Sequence, residues 1–273
     1  MKPSYLILRM TLPFCLFFSH ISLSYSFTPP TAIGSISKGL GNINVCKTSA
    51  WSAYNQSTEM ISDSSWHFGM FVANPYLLSA YKSYAVSSIY STKDYALGVC
   101  LYQVGYSVHN RLTCTVSYAL ILNKKFSMGT SLHLLQTRIT GRNIANQPLI
   151  VLDAKVEVTS KNTCFIKLFN PIKNPIDSSL SSQYSATLQH SITAKSQLYV
   201  QADVTSQNDV SFKFGMSHQT NKLLNILIGT STNPYSVSFG IGISLKNKTL
   251  HVANNYHSSL GFSPSISTEY CRP

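Results

Sequence analysis

The sequence predicts an all-β fold: a closed antiparallel transmembrane β-barrel of about 14 strands, with an N-terminal plug segment. Three observations predict it. From about Ser65 to Tyr270, large apolar residues alternate with small polar ones, most plainly in Val237-Ser-Phe-Gly-Ile-Gly-Ile-Ser-Leu245. A strand sends successive side chains to opposite faces, so such a segment has one bulky apolar face and one smooth polar face. Only 11% of the 273 residues are charged, against about 25% in soluble proteins, whose polar faces are rich in charge. Most of the alternating runs also reach the roughly 9–11 residues of a tilted membrane strand, where soluble strands average about five to six.

The elements follow in order. Residues 1–26 read as a signal peptide. Lys2 and Arg9 give a basic start, Met10 to Leu23 is mostly apolar, and Ser24-Tyr-Ser26 offers small residues for cleavage. Pro13 and His20 break the apolar run too often for a membrane anchor. No later run approaches the roughly 20 apolar residues of a spanning helix, and the longest, Leu223-Leu-Asn-Ile-Leu-Ile228, is strand-sized. Residues 27–64, rich in Ser, Thr, Gly and Asn with weak alternation, are expected to fold as a plug or hatch into or against the lumen. The barrel, residues 65–273, then takes strands near 65–73, 79–90, 95–106, 111–122, 125–139, 149–159, 163–169, 183–192, 196–205, 209–218, 222–231, 235–245, 249–257 and 262–270.

Tight breaks such as Asn123-Lys124 and Lys246-Asn-Lys248 force antiparallel neighbours. Longer breaks around Thr140–Pro148 and Pro171–Ser182 belong to the other end, the asymmetry of an outer-membrane barrel. In hydrocarbon every backbone amide must be paired, so a sheet with a continuous apolar outer face has to close on itself.

Six charged residues fall on the inner face: Asp153, Lys155, Glu157, Lys167, Asp203 and Lys213. Buried charges require partners. They are expected either to form an ion-pair network that rigidifies the lumen or to line a permeation path and bias which solutes pass. Without Lys2 and Arg9, Lys and Arg still outnumber the 9 Asp and Glu about two to one. Scattered as they are, these cations suit turns against lipopolysaccharide and give no clustered surface for nucleic acid. Cys46, Cys100, Cys114, Cys164 and Cys271 show no paired spacing and are odd in number. Cys114 and Cys164 occupy strand positions suited to packing, and Cys271 is placed to pair with another cysteine. No cofactor or metal site is predicted. His251 and His257 lie about 20 Å apart along one strand, too far to share an ion. His133 and His190 read as lumen or packing residues. No catalytic motif is present. The nearest thing to a nucleophile and its base is His251 with a Ser of a neighbouring strand such as Ser244, which abundant serine explains by chance.

Gly39-Leu-Gly41 and Ala50-Trp-Ser-Ala-Tyr-Asn55 resemble the N-terminal plug of outer-membrane proteins of the FadL-like class, marking Trp51, Tyr54 and Asn55 as plug residues. Small PorV-like relatives often continue Asn-Pro-Ala where this chain has Gln56-Ser-Thr58. Leu135-Gln-Thr137, Phe169-Asn-Pro171, Gly229-Thr-Ser-Thr-Asn-Pro234, Ser238-Phe-Gly240, Tyr256-His257 and Leu260-Gly-Phe-Ser-Pro264 are similar to segments of those proteins. The resemblance implies a fourteen-stranded barrel with an N-terminal hatch. Its implied place is the outer membrane of a Gram-negative bacterium, among outer-membrane lipid and lipopolysaccharide, inserted by the barrel-assembly machinery. Phe262, Ile266 and Tyr270 share the parity of a terminal assembly signal, with Cys271-Arg-Pro273 extending past it. By analogy the expected function is a channel or transporter for small or hydrophobic molecules. A PorV-like accessory or shuttle barrel, working with secretion-system components, is the second expectation, and a secreted soluble β protein the third.

Overall fold

The computed structural model describes residues 31–45, 49–63, 65–141, 144–171 and 181–272. The predicted signal peptide and Cys46 lie outside them. Fourteen strands form the wall: β1 (Ser65–Ala73), β2 (Lys82–Ser91), β3 (Tyr95–Gly105), β4 (His109–Asn123), β5 (Phe126–Ile139), β6 (Ala145–Glu157), β7 (Asn162–Phe169), β8 (Gln183–Thr193), β9 (Ser196–Thr205), β10 (Val210–Gln219), β11 (Leu224–Thr232), β12 (Tyr235–Leu245), β13 (Lys248–His257) and β14 (Gly261–Arg272). Each strand pairs antiparallel with its sequence neighbours, and β1 pairs with β14 to close the barrel.

The differences from the sequence reading have local causes. β2 starts at Lys82 because Pro75–Leu77 forms a 3-10 turn, with positive φ at Tyr76 and Leu77. β6 begins at Ala145, four residues earlier than the alternation suggests, because Leu134–Thr137 of β5 offer it ladder partners. β14 runs past Tyr270, since Trp66 and His67 pair with Arg272 and Cys271.

The bulky faces point outward. Phe214 and Phe239, whose burial between two sheets would mark a sandwich, are 46% and 58% exposed. In β12 the odd-numbered apolar residues are all exposed, while Ser236, Ser238, Gly240 and Gly242 are buried. An apolar face on every strand of a closed barrel has only hydrocarbon to cover it. Paired outward rings mark both edges of the belt: Trp66 with Tyr90 (5.1 Å) and Tyr95 with Tyr118 (6.5 Å) at one end, Tyr256 with Phe262 (4.9 Å) at the other.

The N-terminal segment fills the inside. Helix α1 (Ser35–Gly39) lies against β11 to β14. Helix α2 (Ser52–Asn55) lies against β2 to β4, and a 3-10 turn (Ser57–Met60) against β3 to β6. Two apolar clusters hold it: Trp51, Tyr54 and Met60 among Phe71, Ile89 and Tyr102, and Leu40, Ile43 and Val45 among Phe165, Tyr199 and Leu227. The small inward residues now have a physical reason. A Cβ on Gly98 would stand 2.5 Å from Met60 Sδ and 2.7 Å from Ala53 Cβ. One on Gly69 would stand 2.8 Å from Ala50 Cβ, and one on Gly229 would collide with the Leu40–Gly41 backbone. The wall is smooth because part of the same chain rests on it.

Gly229→Val is therefore expected to lower the stability of the plugged barrel by about 1–3 kcal/mol, the usual cost of overpacking. Ile228→Val, on the exposed face of the same strand, is expected to leave it unchanged. Thermal unfolding in detergent, read from the heat-modified gel mobility of each variant, checks both.

Candidate functional site

The wall holds the hatch through polar side chains of inward parity, and most of them bind its main chain. Asp153 on β6 accepts hydrogen bonds from the Ser57 amide (2.8 Å) and hydroxyl (2.6 Å). Lys167 on β7 donates to the carbonyls of Tyr54 (3.0 Å) and Asn55 (2.5 Å), at the C-terminal end of α2 where a cation complements unpaired carbonyls. Lys213 on β10 donates to the Asn42 carbonyl (3.0 Å) and pairs with Asp203 on β9 at 2.6 Å. Gln201 accepts from the Asn44 amide at 2.8 Å and donates to Asp203 at 2.7 Å. Glu269 on β14 accepts from the Ala50 amide at 2.9 Å. Lys155 pairs with Glu59 of the hatch at 3.0 Å and stands 3.8 Å from Glu157. Glu157 itself is half exposed at the rim. Serines complete the set: Ser87 and Ser117 donate to the carbonyls of Ala50 and Ala53.

The plug residues have distinct parts. Trp51 packs edge-on to Phe71 at 5.8 Å. Tyr54 packs edge-on to Tyr102 (5.7 Å) and His133 (5.0 Å), and burial raises its phenol pKa so that the ring stays neutral. Asn55 ties the hatch to itself, accepting from the Ile33 amide at 2.9 Å and donating to the Ile33 carbonyl at 2.8 Å.

Beyond the hatch, towards the end that carries the loops after β1 and β7, lies a chamber of about 470 Å³. Its floor includes Lys38, Asn42 and Tyr54 of the hatch. Its two arcs differ. The first seven strands contribute Phe71, Tyr102, Val104, Leu135, Leu149 and Phe169, and the last seven contribute Gln183, Thr205, Ser211, Ser231, Ser236 and Asn255. Arg111 enters the apolar arc within electrostatic reach of Tyr54, Tyr81 and Tyr102. Lys213 and Asp203 mark the polar one.

Sequence reasoning missed Arg111 and Glu269, which share the inner parity of their strands and could have been found by it. It also missed Gln201, whose neutral side chain carries no such signal. His251 has no hydrogen bond to Ser244. Its partner across the ladder is Gly242, Ser244 faces Thr249, and the His251 ring lies over the bare Gly242 backbone. Cys271 is a free thiol, 3.8 Å from His67 Nε2. Cys100, Cys114 and Cys164 are free as well.

Two outcomes follow from this geometry. Lys213→Met strands the buried Asp203 carboxylate and is expected to cost about 3–5 kcal/mol. Adding Asp203→Asn is expected to recover part of that, and thermal unfolding of the single and double variants measures the coupling. Lys38 in α1 is pushed down to about 8, by burial first and by the Lys213 charge second. A lysine with a lowered folded value is neutral in the hatch while still charged in the unfolded chain, so the docked state binds fewer protons between about 8 and 10.5. Docking is therefore expected to strengthen as pH rises through that window. Protease protection of the hatch, compared with Lys38→Met, checks the sign.

No family model matches the chain, and no curated protein matches it by sequence. Solved structures match it by shape. The toluene transporter TodX of Pseudomonas putida aligns with a TM-score of 0.68 at 9% identity, covering 92% of this chain and 98% of that one. A FadL homologue of Pseudomonas aeruginosa aligns at 0.65 and 10% identity, covering 90% and 99%. The toluene transporter TbuX of Ralstonia pickettii aligns at 0.66 and 10% identity, covering 88% and 97%. Closed barrel, inner hatch and overall alignment together give this chain the fold of the FadL-like outer-membrane channels.

Proposed function

We propose that the barrel passes small, largely apolar molecules across the outer membrane of a Gram-negative bacterium, with the chamber as the binding compartment and the hatch as the gate. The observation that carries this reading is the two-sided chamber. Its volume of about 470 Å³ falls within the roughly 300–1,000 Å³ of small-molecule sites. An aromatic and aliphatic arc gives an apolar body somewhere to rest, and the facing hydroxyl and amide groups carry any polar end. TodX and TbuX, whose fold it shares, are toluene transporters. Short turns at the end where the chain enters β1 and leaves β14 support orienting that end towards the periplasm. The chamber then opens outward and the hatch stands between it and the cell.

A second reading is favoured by the strength of the hatch attachment. Side chains from β2, β4, β6, β7, β9, β10 and β14 hold it, an arrangement suited to an accessory barrel of a secretion system that never opens. One experiment separates the two. Cells expressing the full chain in their outer membrane are given radiolabelled toluene, and initial uptake is compared with cells lacking it. A channel raises uptake, and Leu135→Glu, which puts a charge into the apolar arc, returns it to background while heat-modified mobility stays normal. Equal uptake with and without the barrel sinks the channel.

A further inference from the structure

Among the described residues, the rim that carries the short turns also carries most of the exposed positive charge. Lys93 lies between β2 and β3, Lys124 and Lys125 between β4 and β5, and Lys161 between β6 and β7. Lys195 lies between β8 and β9, Lys222 between β10 and β11, and Lys246 between β12 and β13, where Lys248 opens the next strand. Arg272 ends β14 at the same level. All six connections at this rim bear lysine, and all nine cations are exposed. Among the described residues, only Asp63, Asp94 and Glu157 are exposed acids there. Among the described residues of the opposite rim, the exposed cations are Lys82 and Arg138.

Among the described residues, the fold makes no use of these nine cationic side chains. None forms an ion pair among the described residues. The turns are held by other side chains: Asn123 bonds the Lys125 amide (2.9 Å), Thr193 the Lys195 amide (3.2 Å) and Asn221 the Leu223 amide (2.8 Å). The cations also sit where the apolar belt stops. Leu122, Leu223 and Leu245, at 55%, 54% and 61% exposure, lie within two residues of a turn lysine. Trp66, Tyr90, Tyr95 and Tyr118 share that edge. That depth is the headgroup region, where long cationic side chains extend from apolar surface towards phosphate.

We propose that this lysine ring is a seat for the anionic headgroups of phospholipids in the periplasmic leaflet. The distribution selects the partner. A protein docking on the rim would meet one arc of it, whereas lipid surrounds the barrel and meets every turn. The inference holds whether or not the barrel conducts, so its test reads lipid and not transport.

The test uses the native Trp66, which faces outward opposite Arg272, with Lys248 one strand further on and Lys93 in the turn that follows its other neighbour β2, while Trp51 is buried in the hatch. The full chain is folded into phosphatidylcholine vesicles containing either brominated phosphatidylglycerol or brominated phosphatidylcholine. Trp66→Phe identifies the Trp66 share of the quenching. The expected result is about five-fold preference for the anionic lipid at low salt, the factor given by roughly one lysine per headgroup. The preference falls towards unity in about 1 M salt, and in the combined variant Lys93→Gln, Lys248→Gln, Arg272→Gln. Ile192→Trp in the Trp66→Phe background moves the reporter to the arc beside Lys195 and is expected to give the same preference. Absence of preference at low salt overturns the proposal, as does its survival in the triple variant. Preference at Trp66 but none at position 192 overturns the ring, and selectivity for added lipopolysaccharide over phosphatidylglycerol overturns the choice of lipid.

Discussion

Everything inside this barrel depends on how closely the hatch approaches the backbone of the wall. The hatch lies so close to the wall that glycines at 69, 98, 129, 215 and 229 have no room for a side chain beyond hydrogen. That closeness shapes the composition of the inner face: small residues where the hatch touches, charged residues such as Asp153, Lys167 and Lys213 where they reach a hatch atom, and larger ones where the chamber opens. An inner face of ordinary bulk would leave no space for the segment, and a smooth face without the segment would leave an open pore.

The same packing explains how so few charges are tolerated inside a lipid-embedded wall. Asp153 is met by two donors of Ser57, Lys167 by two carbonyls of α2, and Lys213 by Asp203 and the Asn42 carbonyl. A buried charge left alone is costly, and one with good partners roughly offsets its own desolvation. The lumen charges therefore act as couplings between two parts of one chain. Their net effect is to define one seating of the hatch.

The wall was legible in the sequence because a single period decides two things together, the strand and the facing of each residue. β1, β9 and β12 begin and end where alternation placed them. Departures came where a partner strand, and not the segment itself, decides: Ala145–Pro148 alternate poorly, yet β5 supplies their ladder. The six inner charges were legible for the same reason, by parity. Their partners were not, since Ser57 and Asp153 stand 96 residues apart and only the path of the hatch joins them. The division of the chamber was likewise hidden. Phe71, Leu135 and Phe169 share a parity with many inward residues, and nothing local says they stand above the hatch instead of beneath it.

The attachments are directed at amides and carbonyls: those of Asn42, Asn44, Ala50, Ala53, Tyr54, Asn55 and Ser57. Every amino acid except proline carries both groups. The moorings of the inner segment are thus indifferent to which side chains it carries, and what fixes those side chains is the packing of Trp51, Met60 and Leu40 against the surrounding staves. Anchorage is written into the housing, and fit into the buried side chains of the occupant.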